Sequence, residues 1–279
     1  MEISEKYFWP EIRKDCKKCA VKCEICLTEK YERQPKRELL KSTPIPEKPG
    51  HSVHMDIFHL NKRLFVSTSD RFSKYFYLRE IPNKLNMSQV VEEILLQTYP
   101  ECKEIMTDNE TIFTSHMMQS LFQRTNIKHL RTPVSHSTTN GQVERIHSTI
   151  LEIANSIAKQ NSTETDEEIF NAVREYNNTI HSTTQFKPSE VFFGRNIDLK
   201  KVSNNIREHQ EKTLKYHNKK RTHKTFNPGS RVFMKSDRRC KNKKSYLKYI
   251  VKEDRGDTIL TTTGKVIHKD SLRNTHLEQ

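Results

Sequence analysis

The sequence predicts an α/β fold with a mixed sheet, followed by a smaller all-β region. Residues 51–60 alternate apolar and polar positions, which is typical of a half-buried strand, and residues 64–69 and 74–78 are predicted to form two more strands with a turn at Asp70-Arg71. From residue 88 onward, helical and strand patterns alternate, so helices are expected to cover the sheet. After residue 226, short β-rich runs separated by turns predict a small β barrel.

The individual elements follow from local patterns. The first three strands are expected to form an antiparallel meander. A helix over 88–99 ends before Pro100, because proline cannot continue a helix. A short strand at 104–107 leads directly into Asp108. The remaining predictions are a helix over 115–124, a strand over 127–131, a polar loop over 135–141, and helices over 142–160 and 166–182.

The amino-terminal segment carries four cysteines within a helical pattern over residues 5–30. These are Cys16, Cys19, Cys23 and Cys26. One straight helix holds side chains at this spacing along one face and cannot wrap them around a tetrahedral ion. Cys23 and Cys26 are therefore expected at most to supply a zinc ligand pair, and we predict no stoichiometric zinc. The proline-rich residues 35–50 are predicted to form an extended linker.

The charge and cysteine balance exclude several classes of protein. Of 279 residues, 49 are Lys or Arg and 35 are Asp or Glu, which gives a net charge of +14, and 33% are hydrophobic. No run approaches the roughly 20 apolar residues of a membrane span, and the first residues lack a signal-peptide pattern. The six cysteines are too unevenly placed for a disulfide framework. The sequence therefore predicts an intracellular soluble protein.

Most of the excess charge lies in residues 212–248, termed the basic segment, which contain 14 basic residues and one acid. Such a run is often a solvated face or a disordered tail, and that alternative stays open. Aromatic residues interleave with the cations, however, as in surfaces that combine phosphate contacts with stacking. A nucleic-acid partner is therefore preferred over anionic lipid. The predicted DNA contacts are Lys219, Lys220, Arg221, Arg231, Arg238, Arg239, Lys243 and Lys244.

Three carboxylates fall where an α/β layer normally forms a site. Asp56 lies within the first strand, Asp108 at the end of a strand, and Glu144 in the first turn of a predicted helix. Each alone is compatible with a structural role, since a helix N-terminus favours an acid. Brought together, they would either raise their pKa values or bind metal. Carboxylate oxygens suit Mg or Mn, and a pair of such ions supports in-line phosphoryl displacement.

Short motifs around these acids resemble those of a known family. They are His54-Met55-Asp56, Thr107-Asp108-Asn109-Glu110 and Asn140-Gly141-Gln142-Val143-Glu144-Arg145, with 35 residues between the second and third acid. The chain is similar to the integrases of retroviruses and gypsy-type LTR retrotransposons, which are DDE polynucleotidyl transferases with an RNase H-like fold. The segments Pro188-Ser189-Glu190 and Pro228-Gly229-Ser230-Arg231-Val232 resemble the end of that family's catalytic domain and the start of its C-terminal barrel.

The resemblance implies an RNase H-like core, a mixed five-stranded sheet with flanking helices, between a truncated zinc-module remnant and a β barrel. It implies that two Mg or Mn ions at Asp56, Asp108 and Glu144 serve to trim the element's 3′ ends and join them to target DNA. The implied segments are the remnant at 1–34, the linker at 35–50, the core at 51–200, a basic helical linker at 201–225 and a DNA-binding barrel at 226–279. The implied contacts to the DNA end are Asn109, Asn140, Gln142, Arg145 and Ser148.

The partners implied are element ends, a target duplex and further copies of the chain, in the nucleus, with a cytoplasmic particle stage left open. The sequence departs from the family at its start, where a His pair should precede the Cys pair, because the first histidine here is His51. The zinc module is therefore expected to be truncated or lost. Two hypotheses stay open: an active DNA strand transferase and endonuclease, and a catalytically silent, host-derived DNA-binding or interaction protein built on an integrase.

Overall fold

The structure is a computed structural model that describes residues 2–30, 32, 35, 37–82, 86–131, 137–236 and 245–273. Its contacts divide the chain into two units. The first, termed the core unit, comprises Ser42–Thr213. The second, termed the split unit, combines Met1–Lys41 with Leu214–Gln279. Among the helices of the described ranges, none is long and apolar enough to cross a membrane.

The core unit is built on a five-stranded sheet in the order β3-β2-β1-β4-β5. The strands are β1 (Ser52–Leu60), β2 (Arg63–Asp70), β3 (Phe76–Glu80), β4 (Glu104–Thr107) and β5 (Lys128–Arg131). Strands β1, β2 and β3 pair antiparallel, whereas β4 runs parallel to both β1 and β5. The predicted meander and the mixed sheet are both confirmed.

Helices cover both faces of this sheet. They are α4 (Met87–Gln97), α5 (His116–Arg124), α6 (Ser137–Asn161) and α7 (Ile169–Asn178). Two further helices, α8 (Pro188–Phe192) and α9 (Leu199–Asn218), contribute to a separate apolar cluster around Phe72, and the core unit ends within α9. Because side chains alternate along a strand, Val53 and Met55 of β1 pack with α4 and α5, whereas Phe58 packs with α6 and α7. The sheet is therefore apolar on both faces.

Two helices differ from the sequence prediction. The loop expected at 135–141 is wrong from residue 137 onward, because the backbone of α6 is already helical there. Gly141 favoured a loop, but a helix tolerates one glycine at a cost of about 1 kcal/mol. Helix α7 covers only Ile169–Asn178 of the predicted 166–182. The prediction based on local polarity therefore placed the start of the helix that carries Glu144 too late in the sequence.

A side chain closes the start of β3. Phe76 donates its backbone N–H to Oδ1 of Asn177 at 2.9 Å, and its carbonyl accepts from Nδ2 of Asn177 at 2.7 Å. Both residues are buried. An unpaired buried backbone group is costly, so the Asn177 amide substitutes for a neighbouring strand and attaches α7 to the sheet.

The split unit contains a four-stranded antiparallel sheet in the order β6-β7-β8-β9. Its strands are β6 (Arg231–Lys235), β7 (Tyr246–Asp254), β8 (Thr258–Thr261) and β9 (Val266–His268). Buried side chains from these strands, among them Val232, Val251 and Ile259, form its core. The short strands predicted after residue 226 are confirmed as a C-terminal sheet, while its closure into a barrel stays a prediction.

The amino-terminal helices belong to the split unit. The single helix predicted over 5–30 is wrong, because three helices occur: α1 (Glu2–Lys6), α2 (Ile12–Lys22) and α3 (Glu24–Glu29). Cys23 separates the last two with extended backbone, at φ −69° and ψ 111°. The cysteine spacing continues through this break, so periodicity alone could not reveal the change in backbone direction.

Helix α3 is docked on the C-terminal sheet. Leu27 packs against Phe233 of β6 and Tyr246 of β7, and all three are buried. Arg273 donates from Nη1 to the carbonyl of Leu27 at 2.8 Å, near the end of the helix. A cation at this position is favourable, since the last carbonyls of a helix carry partial negative charge. The contact therefore combines apolar burial with a cap on the helix.

The predicted linker is anchored within the split unit at one buried carboxylate. Residues 37–46 contain no helix or strand. Glu38 is 3% exposed, accepts the N–H of Lys224 at 2.8 Å and lies 2.8 Å from Nδ1 of His223. A buried carboxylate needs such partners, so these contacts fix the extended chain at this point.

Candidate active site

Asp56 lies in the middle of β1, on the sheet face that α6 and α7 cover. Its Oδ1 accepts the N–H of Ile57 at 2.9 Å. Burial raises the pKa of Asp56 to about 6; the Ile57 hydrogen bond opposes this rise, and the charges of Asp108, Glu110 and Glu144 add to it. The predicted acids are therefore close enough to act on one another electrostatically.

Asp108 follows β4 directly. His54 of β1 pairs with Met106 of β4, and the same parallel register, continued by two residues, places Asp108 opposite Asp56. Adjacent strands lie roughly 4.8 Å apart, so the two residues share one region of the sheet. Oδ1 of Asp108 accepts the N–H of Glu110 at 2.9 Å, which stabilises the turn after the strand.

Glu144 is exposed on α6. Three residues later on this helix, Nε2 of His147 lies 2.8 Å from Oγ of Ser67. Ser67 in turn pairs with Asp56 in the antiparallel register of β1 and β2. A side-chain hydrogen bond thus joins the helix that carries Glu144 to the strand pair that carries Asp56.

Sequence reasoning did not assign a role to Ser67 or His147. His147 occurs beside the third motif, and its spacing from Glu144 is the one signal that links it to the site. Ser67 is 80 residues away along the chain and lies in an ordinary strand pattern. Its part in the site depends on strand pairing, which a single sequence does not specify.

The chemistry of the three carboxylates fits a hard divalent cation, because Mg and Mn prefer carboxylate oxygens. Burial, with a smaller contribution from the neighbouring acids, raises the pKa of Asp56, and a bound cation would compensate for both effects. Within the part of the chain that the structure describes, however, no three His, Cys, Asp or Glu side chains converge closely enough to hold a metal ion. The acids share one electrostatic environment without forming a complete ligand set.

The side chains predicted to contact the DNA end fall into two groups. Three are exposed: Asn109, Arg145 and Ser148. Oγ of Ser148 donates to the Glu144 carbonyl at 3.0 Å, within α6. The side chains of Asn140 and Gln142 lie outside the described residues. DNA contacts at these positions stay predictions.

The basic segment is heterogeneous. Arg221 has 11% of its side chain exposed, donates from Nη1 to the Glu38 carbonyl at 2.9 Å and lies 3.5 Å from Oδ2 of Asp270. This guanidinium therefore stabilises the split unit internally. Arg231 is exposed, with Nη1 3.9 Å from Oε2 of Glu24. Lys219 and Lys220 are exposed. Arg238, Arg239, Lys243 and Lys244 lie outside the described residues.

The cysteine pair predicted as zinc ligands lies at the N-terminal end of α3. Cys23 is its N-cap residue and Cys26 lies in its first turn. Two hydrogen bonds from Cys26 lower the pKa of the Cys23 thiol; the bond from its backbone has the larger effect and the bond from its side chain the smaller. Cys16 and Cys19 lie on α2, beyond the break at Cys23. That this pair binds no stoichiometric zinc stays a prediction.

Relatives match nearly the whole chain. The retrovirus-related Pol polyprotein of transposon gypsy from Drosophila melanogaster is 33% identical over 278 residues, which are 98% of this chain and 27% of that protein. The corresponding polyprotein of transposon opus, from the same organism, is 32% identical over 293 residues, 98% of this chain and 29% of the relative. The chain spans less than a third of the length of these relatives. No protein-family model matches the chain.

The fold has a counterpart among solved structures. A chain in the cryoEM structure of the simian T-cell lymphotropic virus intasome with PP2A regulatory subunit B56 gamma superposes at a TM-score of 0.67 and 13% identity, covering 95% of this chain and 92% of that one. The mixed sheet with flanking helices therefore defines an integrase-like catalytic core. The chain belongs, more particularly, to the integrases of gypsy-type LTR retrotransposons, and the resemblance inferred from its motifs is confirmed.

Proposed function

We propose that the chain acts as an integrase, which trims the 3′ ends of an element's DNA and joins them to a target duplex. The observation that carries the proposal is the parallel register of β1 and β4, which continued by two residues sets Asp108 opposite Asp56. Burial raises the pKa of Asp56, and the charges of Asp108 and Glu144 add to this rise. The similarity to gypsy-type Pol polyproteins supports it.

In this proposal Asp56, Asp108 and Glu144 would hold two Mg or Mn ions, which when bound activate the attacking oxygen and stabilise the leaving oxygen of a phosphoryl displacement. Asp56 has a pKa of about 6, so it is mostly ionised at neutral pH and available as a ligand. Backbone N–H groups orient two of the acids, that of Ile57 for Asp56 and that of Glu110 for Asp108.

The proposed substrate is DNA, held largely through its phosphates. Exposed cations of the basic segment, such as Lys219, Lys220 and Arg231, would supply contacts independent of sequence. The element ends and the target duplex would both bind, and we propose a homo-oligomer because joining two ends to one target needs more than one active site. Since the target would be chromosomal, we propose that the protein acts in the nucleus.

A second candidate is a non-catalytic DNA-binding or interaction protein built on an integrase. One observation favours it: in the described ranges the three acids do not converge into a metal-ligand set. The two candidates make different predictions for the same assay, because the second requires DNA binding without phosphoryl transfer.

A strand-transfer assay in Mn²⁺, with a short duplex that carries the element's terminal sequence, tests the proposal. The unmodified protein should join this end to target DNA. Glu144→Gln should bind DNA but not join it, because it removes a ligand charge and keeps the side-chain size. Glu152→Gln, an exposed control on the same helix, should retain joining. An unmodified protein that binds DNA but is inert in Mn²⁺ would establish the non-catalytic alternative.

A further inference from the structure

The Ser67 hydroxyl lies between the candidate active-site strand and α6. Ser67 is fully buried, and Cα pairing places it directly opposite Asp56. Its Oγ is 3.2 Å from the carbonyl oxygen of Asp56 and 2.8 Å from Nε2 of His147. One side chain therefore contacts both the backbone of Asp56 and the helix that carries Glu144.

The proton count fixes the direction of these hydrogen bonds. The Ser67 hydroxyl has one proton, which it donates to the Asp56 carbonyl. Nε2 of His147 must then be the donor to Ser67, which requires the Nε2–H tautomer. Burial lowers the pKa of His147 to about 4, so the ring is neutral at physiological pH and has a single N–H to donate.

Aromatic rings hold the imidazole in this orientation. The His147 ring centroid is 4.7 Å from that of Phe58 and 5.9 Å from that of Phe76. Both phenylalanines are buried, and the backbone of Phe76 is fixed by the Asn177 amide. Contact with Phe58 and Phe76 restricts the rotation of the His147 ring and keeps Nε2 directed toward Ser67.

Glu144 precedes His147 by three residues, so the two lie nearly on the same side of α6, about 4.5 Å apart along the helix axis. Ile150, one turn beyond His147, is the first fully buried residue among the described side chains of this helix. Ile146, beside His147, is partly buried against the same apolar cluster. His147 therefore adds a directional polar contact to the apolar packing of α6 close to Glu144.

We propose that His147 is a positioning residue, which fixes Glu144 relative to Asp56 through the Ser67 hydroxyl. The proposal rests on the proposed function, because it names what orients the third carboxylate of that same site. Partners behind a metal ligand typically change metal affinity 10- to 100-fold when they are removed. The link should therefore matter for metal affinity and strand transfer more than for DNA binding.

Three variants of the full chain test this proposal. His147→Phe keeps an aromatic ring between Phe58 and Phe76 but has no N–H, and Ser67→Ala removes the hydroxyl. Each should weaken Mn²⁺ binding, measured by calorimetry, by roughly 10- to 100-fold. The double variant should lose no more than either single variant, because the two residues form one link. His147→Gln, which can still donate a hydrogen bond, should restore much of the affinity.

Exposed positions provide matched controls. His59→Phe on β1 and Ser156→Ala on α6 make the same chemical changes away from the link, and both should bind Mn²⁺ like the unmodified protein. Amide hydrogen exchange of residues 144–150 should be faster in His147→Phe and Ser67→Ala than in these controls, because α6 has lost its anchor.

Two results separate the failure of this inference from the failure of the proposed function. Unchanged Mn²⁺ affinity and unchanged exchange in both link variants would overturn the positioning role, even if the unmodified protein joins DNA. An unmodified protein that neither binds Mn²⁺ nor joins DNA contradicts the proposed function. In that case amide exchange alone tests the positioning role of His147. Faster exchange in the two link variants than in the controls supports this role, and equal exchange overturns it.

Discussion

His54 of β1 pairs with Met106 of β4, and the parallel register continued by two residues sets Asp56 opposite Asp108, 52 positions later in the chain. Asp56 lies in the middle of β1, whereas β4 ends one residue before Asp108. One acid is therefore held within the sheet and the other in the turn that follows. Strand register therefore fixes the relative position of Asp56 and Asp108. The position of Glu144 depends instead on how α6 packs against the sheet.

The three acids should act as one catalytic unit. We expect Asp56→Asn, Asp108→Asn and Glu144→Gln each to reduce strand transfer by at least about 1,000-fold, and the triple variant to lose little more, because groups that act together are strongly non-additive. Single-turnover rates in Mn²⁺ measure this. A triple variant far slower than each single variant would show that the acids contribute independently.

The stability of the metal-free protein should depend on the ionisation of Asp56. Its pKa of about 6 in the folded protein exceeds the ordinary value of 3.8, so the folded state binds this proton more tightly than the unfolded state. The resulting stabilisation is complete below about pH 4 and is lost as the pH rises through 6. Asp56→Asn, which mimics the neutral acid, should raise the free energy of unfolding by roughly 3 kcal/mol at pH 7.5 and leave it nearly unchanged near pH 3.5.

Urea denaturation at the two pH values, without divalent ions, measures this difference. Glu175→Gln removes an exposed acid of α7 and should produce no comparable gain at pH 7.5. If Asp56→Asn is no more stable than the unmodified protein at pH 7.5, the carboxylate is not destabilised by burial and by its neighbours.

Exposed lysines of the basic segment should contact DNA phosphates. Deletion of the whole segment is unsuitable because it includes β6 and the start of β7. Replacing both Lys219 and Lys220 with Gln should weaken binding to any duplex similarly and flatten the slope of log K against log salt by about 1.8. Fluorescence anisotropy over a salt series measures this slope, with Lys159→Gln as an exposed control from the core unit. An unchanged slope would identify both lysines as solvated.

The docking of α3 on the C-terminal sheet should depend on Leu27, which is 5% exposed, and not on Ile25, which is 73% exposed on the same helix. Leu27→Ala should destabilise the docked state by about 2–5 kcal/mol, because it leaves a cavity against Phe233 and Tyr246. Ile25→Ala should change stability by less than about 0.5 kcal/mol. Amide exchange of residues 24–29 compares them, and equal protection in the two variants would contradict the docking.

The sequence predicted those elements in which one local pattern dominates. The strand at Glu104–Thr107 matches its predicted bounds, because a short apolar run lies between a turn and an acid. The interruption between α2 and α3 at Cys23 was not predicted, because the cysteine periodicity continues across it. The early start of α6 was not predicted, because Gly141 favoured a loop. These errors concern how one element continues into the next, which tertiary contacts decide.

The candidate site was predicted to a similar extent. Motifs named Asp56, Asp108 and Glu144, and the structure places them in one electrostatic neighbourhood. The link between Ser67 and His147 could not be predicted, because it depends on the register of β1 and β2 and on the packing of α6 across the sheet. Pairing across such sequence distances is specified by the folded molecule as a whole.

The split unit also determines the order in which the chain can fold. Leu27 leaves the ribosome more than 200 residues before Tyr246, its packing partner. At roughly 5–20 residues per second, this delay is on the order of 10 to 40 s. The contiguous core unit is synthesised completely within that interval. Helix α3 is therefore translated before the core unit but can pack on Phe233 and Tyr246 only after the core unit is complete.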